Sequence, residues 1–548
     1  MQWVCKSQQI PQSQTDLLEV LLANRGLFKK KERDEFLSPR SPLKFTPKDV
    51  GIDEKQLARV VSLIQGAKQK NWKVIVFGDY DCDGICATAI LWETLYEMGV
   101  HAMPFIPNRE RHGYGLSMAA IDDILADPSQ KPQLLITVDN GIVAHKPFKR
   151  LHKEGVKTIL TDHHQPEKKL PSVDALVHTT QLCGTTVSWM LARALNPKKA
   201  AEMLDLCAIA TIADQVPLLN ANRGFAVHGI AAIKTTTRVG LQMLIQAANI
   251  DPKMIDAKAV NYLIAPRINA MGRIGDAMNA LRLLCSKKMD KAMSYASKMQ
   301  STNTDRQTMT IEMIDLARQR KGEWENEHII IIDSDTFHEG VIGLIASKLA
   351  EEFGKPAVVI ARGKDRSKGS ARSVTGVNIT ELLRDVREHL LDIGGHPMAA
   401  GFSIAEENIA RFMKSLYVQA RKVIGIELLE QKMECEAELP WNFVTLETLN
   451  TIDRLNPFGS TNPKPQFVLH GAKVIQIREF GKERQYLKYY LTDPTNAQHS
   501  IEALSFAPKG RFNLREGDCI DLVAMLDVNE WNGRTTLQLL MQDAVINP

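Results

Sequence analysis

Short apolar runs alternate with helical segments through the first half of the chain. The runs Val74–Phe77, Leu134–Val138 and Thr158–Leu160 have the length and composition of buried strands. The segment Ile85–Met98, between the first two runs, has a helical pattern and ends at Gly99, a residue type common just after a helix. Strands that alternate with helices in this way predict a parallel sheet with helices on both faces.

A second α/β pattern follows a polar helical stretch. Residues 276–325 are rich in helical patterns, at Met289–Met299 and Thr308–Gln319, and predict a connector between two domains. Beyond the connector, the apolar runs Ile329–Ile332 and Ala357–Ile360 predict strands on either side of a helix at Val341–Phe353.

The last quarter of the chain has the alternating pattern of β-strands. Four alternating segments are predicted strands, and Asn532-Gly533 is a strong hairpin-turn sequence. The predicted strands are Val474–Ile477, Tyr486–Leu491, His499–Leu504 and Ile520–Leu526. Four or five strands in this length predict a small barrel of the OB type.

The predicted fold class is therefore α/β, with two α/β domains joined by a long helical connector and followed by a C-terminal β-barrel. Residues 1–50 carry short helical fragments and proline-rich turns, and no internal repeat is evident. The predicted boundaries are 1–50 for this helical segment, 51–275 for the first α/β domain, 276–325 for the connector, 326–428 for the second α/β domain and 429–548 for the barrel.

Composition narrows the class of protein without identifying it. The 548 residues are 44% hydrophobic and 24% charged, which excludes a disordered or fibrous chain. A net charge of +4 is too small to indicate a nucleic-acid binder. The eight cysteines form no CxxC pair, and neither a signal-peptide core nor a membrane-length apolar run occurs. We therefore expect reduced thiols and a cytoplasmic protein with no membrane association.

Acidic residues and histidines follow the predicted strands. Asp79, Asp81 and Asp83 come directly after Val74–Phe77, where their mutual repulsion gives the fold no benefit without a counter-charge. The other residues of this kind are Asp139 after the second strand, Asp162-His163-His164 after the third, and Asp214 further along the chain. Since the carboxyl ends of parallel strands share one edge of a sheet, these side chains are predicted to converge.

The convergence predicts a metal centre. Any single aspartate could be a turn or helix-cap residue, but the repeated pattern at three strand ends favours metal binding. Carboxylates with one or two imidazoles and no thiolate favour Mg²⁺ or Mn²⁺ over structural zinc. The number of carboxylates is sufficient for two ions, the arrangement suited to in-line phosphoryl displacement.

These motifs resemble the DHH phosphoesterase superfamily, which takes its name from the triplet Asp162-His163-His164. Asp79–Gly84 is similar to the superfamily's first motif, Thr137–Ile142 to its second, and Thr211–Leu218 to the stretch that carries its last metal aspartate. The resemblance implies a catalytic set of Asp79, Asp81, Asp83, Asp139, His163, His164 and Asp214. Within that set it implies metal ligation by Asp81, Asp83, Asp139, His163 and Asp214, with Asp139 as a bridge between two Mn²⁺ or Mg²⁺ ions.

One position departs from the pattern. Many superfamily members have a histidine four residues before Asp81, whereas this chain has Phe77. The departure implies either a weaker metal site or a contribution from Asp79, and it leaves the number of ions open.

Further motifs resemble the single-strand-specific exonucleases of the superfamily. Pro266–Arg273 and His338–Gly343 are two of them, and Gly394–Gly401 resembles the associated DHHA1 domain. A guanidinium can bind a phosphate through two donors, which makes Arg372 and its serine neighbours phosphate-binding candidates in their own right. The substrate-binding set is His164, Arg267, Asn269, Arg273, Ser370, Arg372, Gly395 and His396.

The barrel resembles the OB-fold domain of the same exonucleases. OB-folds bind single strands through aromatic stacking along a basic groove. The aromatic candidates are Tyr486, Tyr489, Tyr490 and Trp531, and the basic ones are Lys473, Arg478, Lys482, Arg484 and Lys488. Residues 431–548 contain 12 basic and 15 acidic residues, a net charge of −3, so any strand-binding face must be local.

The resemblance implies a metal-dependent 5′-to-3′ exonuclease that degrades single-stranded DNA to 5′-mononucleotides in DNA repair and recombination. It further implies single-strand-binding protein and a recombination helicase as partners. We expect a monomer, because two α/β domains with their own barrel can act without a second copy. Two alternatives remain open: a phosphodiesterase of the superfamily acting on short oligonucleotides, cyclic dinucleotides or pyrophosphate, and a non-catalytic single-strand-binding relative. The barrel argues against the first alternative and the complete set of acids argues against the second.

Overall fold

A computed structural model describes residues 2–429, 432–494, 496–507, 509–531 and 534–547, without the side chains of 497–499, 530 and 531. The chain begins with a strand and two helices, β1 (Gln2–Cys5), α1 (Gln14–Ala23) and α2 (Lys30–Leu37). Leu17 and Leu21 of α1 are buried in the same apolar core as the C-terminal barrel. The first 40 residues therefore pack against the far end of the chain.

The first α/β domain has a five-stranded sheet whose strands are all parallel, in the order β3-β2-β4-β5-β6. Its first half contains α3 (Glu54–Gln69), β2 (Val74–Phe77), α4 (Cys82–Glu97), β3 (Ala102–Phe105), α5 (Arg109–His112), α6 (Met118–Leu125), β4 (Leu134–Val138), α7 (His145–Lys153), β5 (Lys157–Asp162) and β6 (Ala175–His178). The predicted strands and helix are thus confirmed. All five residues of β4 are buried, as expected for a central strand covered on both faces.

Helices complete this domain. They are α8 (Gly184–Leu195), α9 (Pro197–Ala201), α10 (Leu204–Ala213), α11 (Asn220–Lys234), α12 (Val239–Ala247), α13 (Ala257–Ala259), α14 (Ala265–Ile274) and α15 (Ala277–Leu284). A π-helical turn, Val260–Ile264, joins α13 to α14. Pro266, which lacks an N–H group, lies directly after that turn, so the regular hydrogen-bond ladder cannot continue through it.

The connector is one continuous helix, α16 (Met289–Gln319), of 31 residues. This confirms the predicted long helical connector and shows that the patterns at Met289–Met299 and Thr308–Gln319 belong to the same helix, although residues 300–307 between them are polar. The helix persists through that stretch because it packs against α12, α14 and α15 along one side, and Asn303 in the middle is 1% exposed.

The second α/β domain has a mixed five-stranded sheet in the order β10-β11-β9-β8-β7. Its elements are β7 (Ile330–Ser334), α17 (Ile342–Phe353), β8 (Ala357–Ala361), β9 (Ser367–Arg372), α18 (Ile379–Arg384), β10 (Leu390–His396), β11 (Ala399–Ile404) and α19 (Ile409–Val423). Only β7 and β8 are parallel neighbours, joined by the crossover helix α17; the later pairs are antiparallel.

The C-terminal strands close into a barrel in the order β13-β14-β15-β17-β16. Before it come β12 (Lys432–Cys435), which pairs with β1, and α20 (Leu446–Asp453). The barrel strands are β13 (Phe467–Phe480), β14 (Tyr486–Asp493), β15 (Asn496–Ser505), β16 (Cys519–Trp531) and β17 (Arg534–Ile546). The predicted turn Asn532-Gly533 lies outside the described residues. Trp531 and Arg534 on either side of it are paired, so β16 and β17 form a hairpin.

The predicted fold class is confirmed in all its parts: a parallel α/β domain, a helical connector, a second α/β domain and a barrel. None of the helices in the described part of the chain has the length and apolar character needed to cross a membrane.

Candidate metal centre and nucleic-acid interface

The acids and histidines meet at one edge of the parallel sheet. Strand β4 lies between β2 and β5, and all three run in the same direction. Their carboxyl ends therefore deliver the loops with Asp79, Asp139 and His163 to one place. Asp214 reaches the same place as the residue that ends α10.

The side chains come within a few ångströms of one another. The His163 Nε2 atom is 3.2 Å from a carboxylate oxygen of Asp139, 3.7 Å from one of Asp214 and 3.8 Å from one of Asp83. The ligand atoms of Asp79, Asp81 and Asp139 also lie within 4.8 Å of one another, as do those of Asp139, His163 and His164. The structure brings together all seven residues of the predicted catalytic set, which we call the acidic cluster.

Asp139 is placed at the centre of the cluster by an unusual backbone conformation. Its φ angle is +61°, a left-handed value that is uncommon for a residue other than glycine and that recurs at functional sites. Gly184 at the start of α8 makes room for it, because a Cβ atom there would lie 2.2 Å from Asp139 Oδ1. This Oδ1 atom is buried and has no hydrogen-bond partner. His163 Nε2 lies 3.2 Å from it without forming a hydrogen bond, and two potential ligand atoms so close together fit direct contact of both with a cation.

The pKa values of the cluster show the cost of burying these acids together. Burial, followed by the charges of Asp83 and Asp81, raises the carboxyl pKa of Asp214 to about 9. The same two causes raise the pKa of Asp139 well above its usual range, and burial does so for Asp79 as well. Divalent cations would remove this repulsion, and the oxygen-rich donor set with imidazole is of the type that Mn²⁺ and Mg²⁺ accept.

Backbone N–H groups hold two of the carboxylates in position. Asp83 accepts hydrogen bonds from the backbone N–H groups of Gly184 and Thr185, each at 2.7 Å, at the N-terminus of α8. Asp81 caps α4 by accepting from the backbone of Gly84 at 2.9 Å. Each carboxylate retains acceptor capacity for a cation, and its orientation is set by a helix start.

Asp162 orients the second histidine of the triplet. Its carboxylate is 2.7 Å from His164 Nδ1 and also accepts from the backbone N–H of Ile142 at 2.9 Å. Burial alone lowers the pKa of His164, but the hydrogen bond and the charge of Asp162 raise it to about 9. The other ring nitrogen of His164 lies 3.0 Å from the Tyr114 hydroxyl. The sequence analysis assigned no role to Asp162 or Tyr114, although Asp162 is part of the motif itself.

Phe77 belongs to the core. It is fully buried and stacks on Phe105, with ring centroids 5.2 Å apart. Asp79, two residues later, is grouped with Asp81 and Asp139 instead. The end of strand β2, where Phe77 lies, therefore contributes the carboxylate of Asp79 to the acidic cluster.

Five arginines form a second group beside the acidic cluster. Arg273 ends α14, and its guanidinium donates to the backbone oxygen of Gly340 in the second α/β domain at 3.3 Å. Burial and three neighbouring guanidinium groups lower the pKa of Arg273 to about 10. These neighbours are Arg109, Arg306 and Arg372, and Arg306 in turn adjoins Arg267. We call the five residues the arginine cluster.

The arginine cluster has no internal counter-charge. In the described part of the chain, none of its five members has a carboxylate within 4 Å. Asp81 is close enough to influence the pKa of Arg273, so the two clusters adjoin each other. A row of unpaired guanidinium groups next to a metal-binding edge is suited to a phosphate backbone.

The second α/β domain contributes its predicted residues on one face of its sheet. Arg372 donates to Ser370 Oγ at 3.1 Å, and both side chains lie against Gly343 at the start of α17. His396 pairs with Ala399, which pairs with Arg372 on the next strand. Residues in register on neighbouring strands point to the same face, so His396 and Arg372 are about 10 Å apart on one surface. Gly395 is the strand residue before His396.

The two remaining predicted substrate-binding residues make internal hydrogen bonds. Asn269 Oδ1 accepts from the backbone N–H of Cys82 at 2.8 Å, which ties α14 to the acidic loop. Arg267 is 8% exposed and donates from Nε to Gln300 of the connector at 2.7 Å. Asn269 therefore has a positioning role for the loop.

Two members of the arginine cluster were missed by the sequence analysis. Arg109 lies over the Tyr80 ring at 5.6 Å, and Arg306 is on the connector helix. Arg109 lies in a charged stretch and Arg306 in a polar one, and both stretches resemble a solvated surface. Only the packing of α5 and α16 against the site separates them from ordinary surface arginines.

The barrel candidates divide into two kinds. Tyr489 is 2% exposed and belongs to the barrel core, so its proposed stacking role is not compatible with the structure. Tyr486 forms a three-ring group with Phe480 and Phe506, of which Phe506 is 56% exposed. Tyr490 carries Arg478 over its ring at 5.2 Å. The Trp531 side chain lies outside the described residues.

Three family models match the chain in the order of its domains. They are the DHH family N-terminal domain over residues 73–211, the DHHA1 domain over 326–421 and the RecJ OB domain over 435–543. Together with the acidic cluster, they define a metal-dependent phosphoesterase of the DHH class.

Relatives narrow this class further. The chain is 32% identical over 547 residues to the single-stranded-DNA-specific exonuclease RecJ of Bacillus subtilis (strain 168), covering 97% of this chain and 68% of that protein. It is 31% identical to the exonuclease of the same name from Thermus thermophilus, covering 89% of this chain and 71% of that protein. The chain belongs to the RecJ family.

Solved structures agree with this assignment. The crystal structure of RecJ in complex with Mn²⁺ from Thermus thermophilus matches with a TM-score of 0.81 at 29% identity, covering 96% of this chain and 76% of that one. The corresponding complex with Mg²⁺ matches with a TM-score of 0.76 at 27% identity, covering 97% and 74%. The predicted cofactor, Mn²⁺ or Mg²⁺, agrees with these structures and with the donor set of the acidic cluster.

Proposed function

We propose that this protein is a metal-dependent exonuclease that degrades single-stranded DNA from the 5′ end and releases 5′-mononucleotides. The observation that carries the proposal is the junction of a buried carboxylate–histidine cluster with an unpaired arginine cluster, on a chain that also has an OB-type barrel. The first group suits divalent cations, the second suits phosphates, and the barrel suits a single strand.

We assign two ions to the acidic cluster. One group of ligand atoms comes from Asp79, Asp81 and Asp139, and another from Asp83, His163 and Asp214. Asp139 also lies within reach of the histidines, which supports its role as the bridge. When bound, such ions activate a water molecule for in-line attack and stabilise the charge that develops on the phosphate.

The residues of the chain supply binding and orientation. Arg273 and Arg372 bind phosphate oxygens next to the acidic cluster, with Ser370 and His396 on the same side. Asp162 fixes the His164 ring so that Nε2 faces the site, where it donates a hydrogen bond to the substrate phosphate or to Tyr114. The 5′-to-3′ direction is proposed from the resemblance of the motifs.

The test uses long single-stranded DNA labelled separately at each end, with Mn²⁺, with Mg²⁺ and with EDTA. We expect early release of the 5′ label as a mononucleotide in either metal and none in EDTA, while a blunt duplex survives. Equal rates on dinucleotides and long strands would favour the short-oligonucleotide phosphodiesterase. Strand binding without cleavage in any metal would favour the non-catalytic relative.

Partner proteins are proposed from the resemblance, and the assembly, location and domain boundaries from the sequence patterns. We propose single-strand-binding protein and a recombination helicase as partners, a monomeric chain, a cytoplasmic location, and the domain boundaries given above. Size-exclusion chromatography with light scattering tests the monomer, and limited proteolysis tests the boundaries near residues 275, 325 and 428.

A further inference from the structure

A cavity lies at the far end of helix α4, away from the acidic cluster. Its volume is about 390 Å³, and it is bounded by the last turns of α4, the end of α15 and the start of α16. Its walls are formed by Trp92, Tyr96, Tyr295, Arg282, Lys287, Lys288 and Lys291, together with Cys285 and Ser286. None of these residues has a role in the mechanism above.

One wall of the cavity is aromatic and fixed in position. Trp92 and Tyr96 lie one helical turn apart on α4, with ring centroids 5.5 Å apart and planes inclined by 33°. The indole N–H of Trp92 donates to the backbone oxygen of Ala102 at 3.0 Å, so the orientation of its ring is set. Tyr96 is 63% exposed, and Tyr295 of α16, which also lines the cavity, is half-buried. Such rings offer flat faces to a planar ligand.

The rim of the cavity is cationic and has no counter-charge. In the part of the chain that the structure describes, Arg282, Lys287, Lys288 and Lys291 form no ion pair. Glu93, on the same helix as the aromatic wall, is already bound by Arg238 at 2.7 Å. The exposed acids closest in sequence, Glu97 and Asp290, do not line the cavity. Helix α16 begins at this rim, and no side chain of the described residues caps its N-terminus. Its first backbone N–H groups therefore add to the positive charge of the rim.

We propose that this cavity is a second nucleotide-binding site, which takes an aromatic base against Trp92 and Tyr96 and its phosphate against the lysines at the start of α16. Aromatic stacking beside cations is the chemistry that binds nucleotides without a requirement for sequence. The volume suits one nucleotide unit. Two sources share this chemistry, a free nucleoside 5′-monophosphate and one nucleotide of a bound strand.

The site is separate from the metal centre. Asp81 caps the start of α4, and Tyr96 lies 15 residues further along the same helix, a distance of roughly 22 Å at 1.5 Å per residue. A ligand of one nucleotide cannot span the two sites. Occupancy can therefore be measured in EDTA, without cleavage, and its outcome is independent of the proposed exonuclease activity.

Photolabelling tests the proposal on the full-length protein in EDTA. One arm uses 8-azido-dAMP, and the other uses an oligothymidylate that carries 4-thiothymidine; labelled peptides are mapped by mass spectrometry. We expect label on peptides that contain Tyr96 or Tyr295, and a loss of at least about tenfold in the variant Tyr96→Ala/Lys288→Glu. Label from the mononucleotide identifies a free nucleotide as ligand, whereas label from the oligonucleotide alone identifies the strand.

Matched controls distinguish a nucleotide site from a general anion surface. Lys55→Glu changes the charge of another exposed lysine on α3 and should leave the labelling unchanged. Deoxyribose 5-phosphate, which lacks the base, should compete much more weakly than dAMP. Label confined to peptides of the acidic cluster overturns the proposal. So does equal competition by deoxyribose 5-phosphate or by an acidic peptide such as polyglutamate. Tyr96 and Lys288 are exposed, and a thermal melt close to that of the unmodified protein verifies that the variant is folded.

Discussion

The acidic cluster and the arginine cluster are two solutions to the same electrostatic problem. In each, like charges are buried side by side, and their pKa values move toward the neutral form: up for Asp139 and Asp214, down for Arg273. Burying like charges costs free energy unless a counter-charge arrives. Divalent cations are the counter-charge that suits the acids, and phosphates are the counter-charge that suits the arginines. The comparison indicates that each cluster is completed by a ligand and that the two ligands meet where Asp81 adjoins Arg273.

The clusters differ in where their residues come from. The acids follow three neighbouring strands of one sheet, with Asp214 added by α10, and backbone N–H groups hold them rigidly. The arginines come from α5, α14, α16 and β9, in two domains and the connector. We therefore expect the acidic cluster to persist as a rigid unit, and the arginine cluster to depend on how the two α/β domains are arranged.

The largest expected effect comes from Asp139→Asn, which removes a charge from the centre of the acidic cluster. Loss of a metal ligand removes several kcal/mol of transition-state stabilisation, so cleavage should fall by about 10³-fold or more at any Mn²⁺ concentration. Single-stranded DNA binding should survive, because the arginines are unchanged. End-labelled cleavage assays and anisotropy titrations measure the two. Retained turnover would remove Asp139 from the site.

Arg372→Ala tests the arginine cluster, and it should weaken single-strand binding while leaving metal binding intact. A hydrogen bond to a charged group contributes about 1.5–3 kcal/mol, so the Kd for single-stranded DNA should rise by about 10- to 100-fold. The dependence of log Kd on log salt should become shallower by about one phosphate contact. Mn²⁺ binding measured by calorimetry should not change. A variant that lost metal binding and kept strand affinity would reverse our assignment of the two clusters.

Metal binding should stabilise the fold in a pH-dependent way. The carboxyl pKa of Asp214 is about 9 in the folded protein without metal and about 4 in an unfolded chain. Because the folded state holds this proton more tightly, the stability of the metal-free protein should fall as the pH rises from about 4 to about 9. In EDTA we therefore expect a lower Tm at pH 8 than at pH 6.

Added Mg²⁺ should raise the Tm, and more at pH 8 than at pH 6, because the deprotonated carboxylates bind it more tightly. One ion at a free concentration one hundred times its Kd adds about 2.7 kcal/mol to the free energy of unfolding. Differential scanning fluorimetry measures both effects. Asp214→Asn serves as the control, because its Tm in EDTA should depend less on pH. A Tm in EDTA that rises between pH 6 and pH 8 would contradict the repulsion that we assign to the cluster.

The smallest expected effect on binding is in the barrel. Tyr486→Ala removes a stacking face for one base and should weaken single-strand binding by about 1 kcal/mol. Because it also removes contacts with Phe480 and Phe506, it should lower stability by about 0.5–1.5 kcal/mol. Tyr489→Ala, only three residues away, removes a core ring and should lower stability by about 3–5 kcal/mol. Equal effects of the two variants on Tm would show that the barrel offers no aromatic platform at Tyr486.

The sequence contained enough information to predict the acidic cluster because its residues are tied to local patterns. Except for Asp214, which ends α10, each acid or histidine follows an apolar strand, and parallel strands bring their ends together by topology alone. The stacking of Phe77 on Phe105 and the positioning role of Asp162 needed the packed structure, since neither a ring contact nor a hydrogen bond to His164 leaves a periodic pattern in the sequence.

The arginine cluster could be predicted only in part. Arg273 and Arg372 lie in recognisable motifs, but Arg109 and Arg306 lie in polar or charged stretches and resemble surface positions. Their role depends on how α5 and α16 pack. For the same reason the sequence could not distinguish the buried Tyr489 from the more accessible Tyr486.

The most direct test of the two-cluster account is a crystal structure of the protein with Mn²⁺ and a 5′-phosphorylated, phosphorothioate-linked single strand, with data collected at the manganese absorption edge. The account predicts anomalous peaks in direct contact with the Asp139 carboxylate, and the terminal phosphate bound by Arg273 and Arg372. Peaks away from the acidic cluster, or a strand that avoids both arginines, would contradict it.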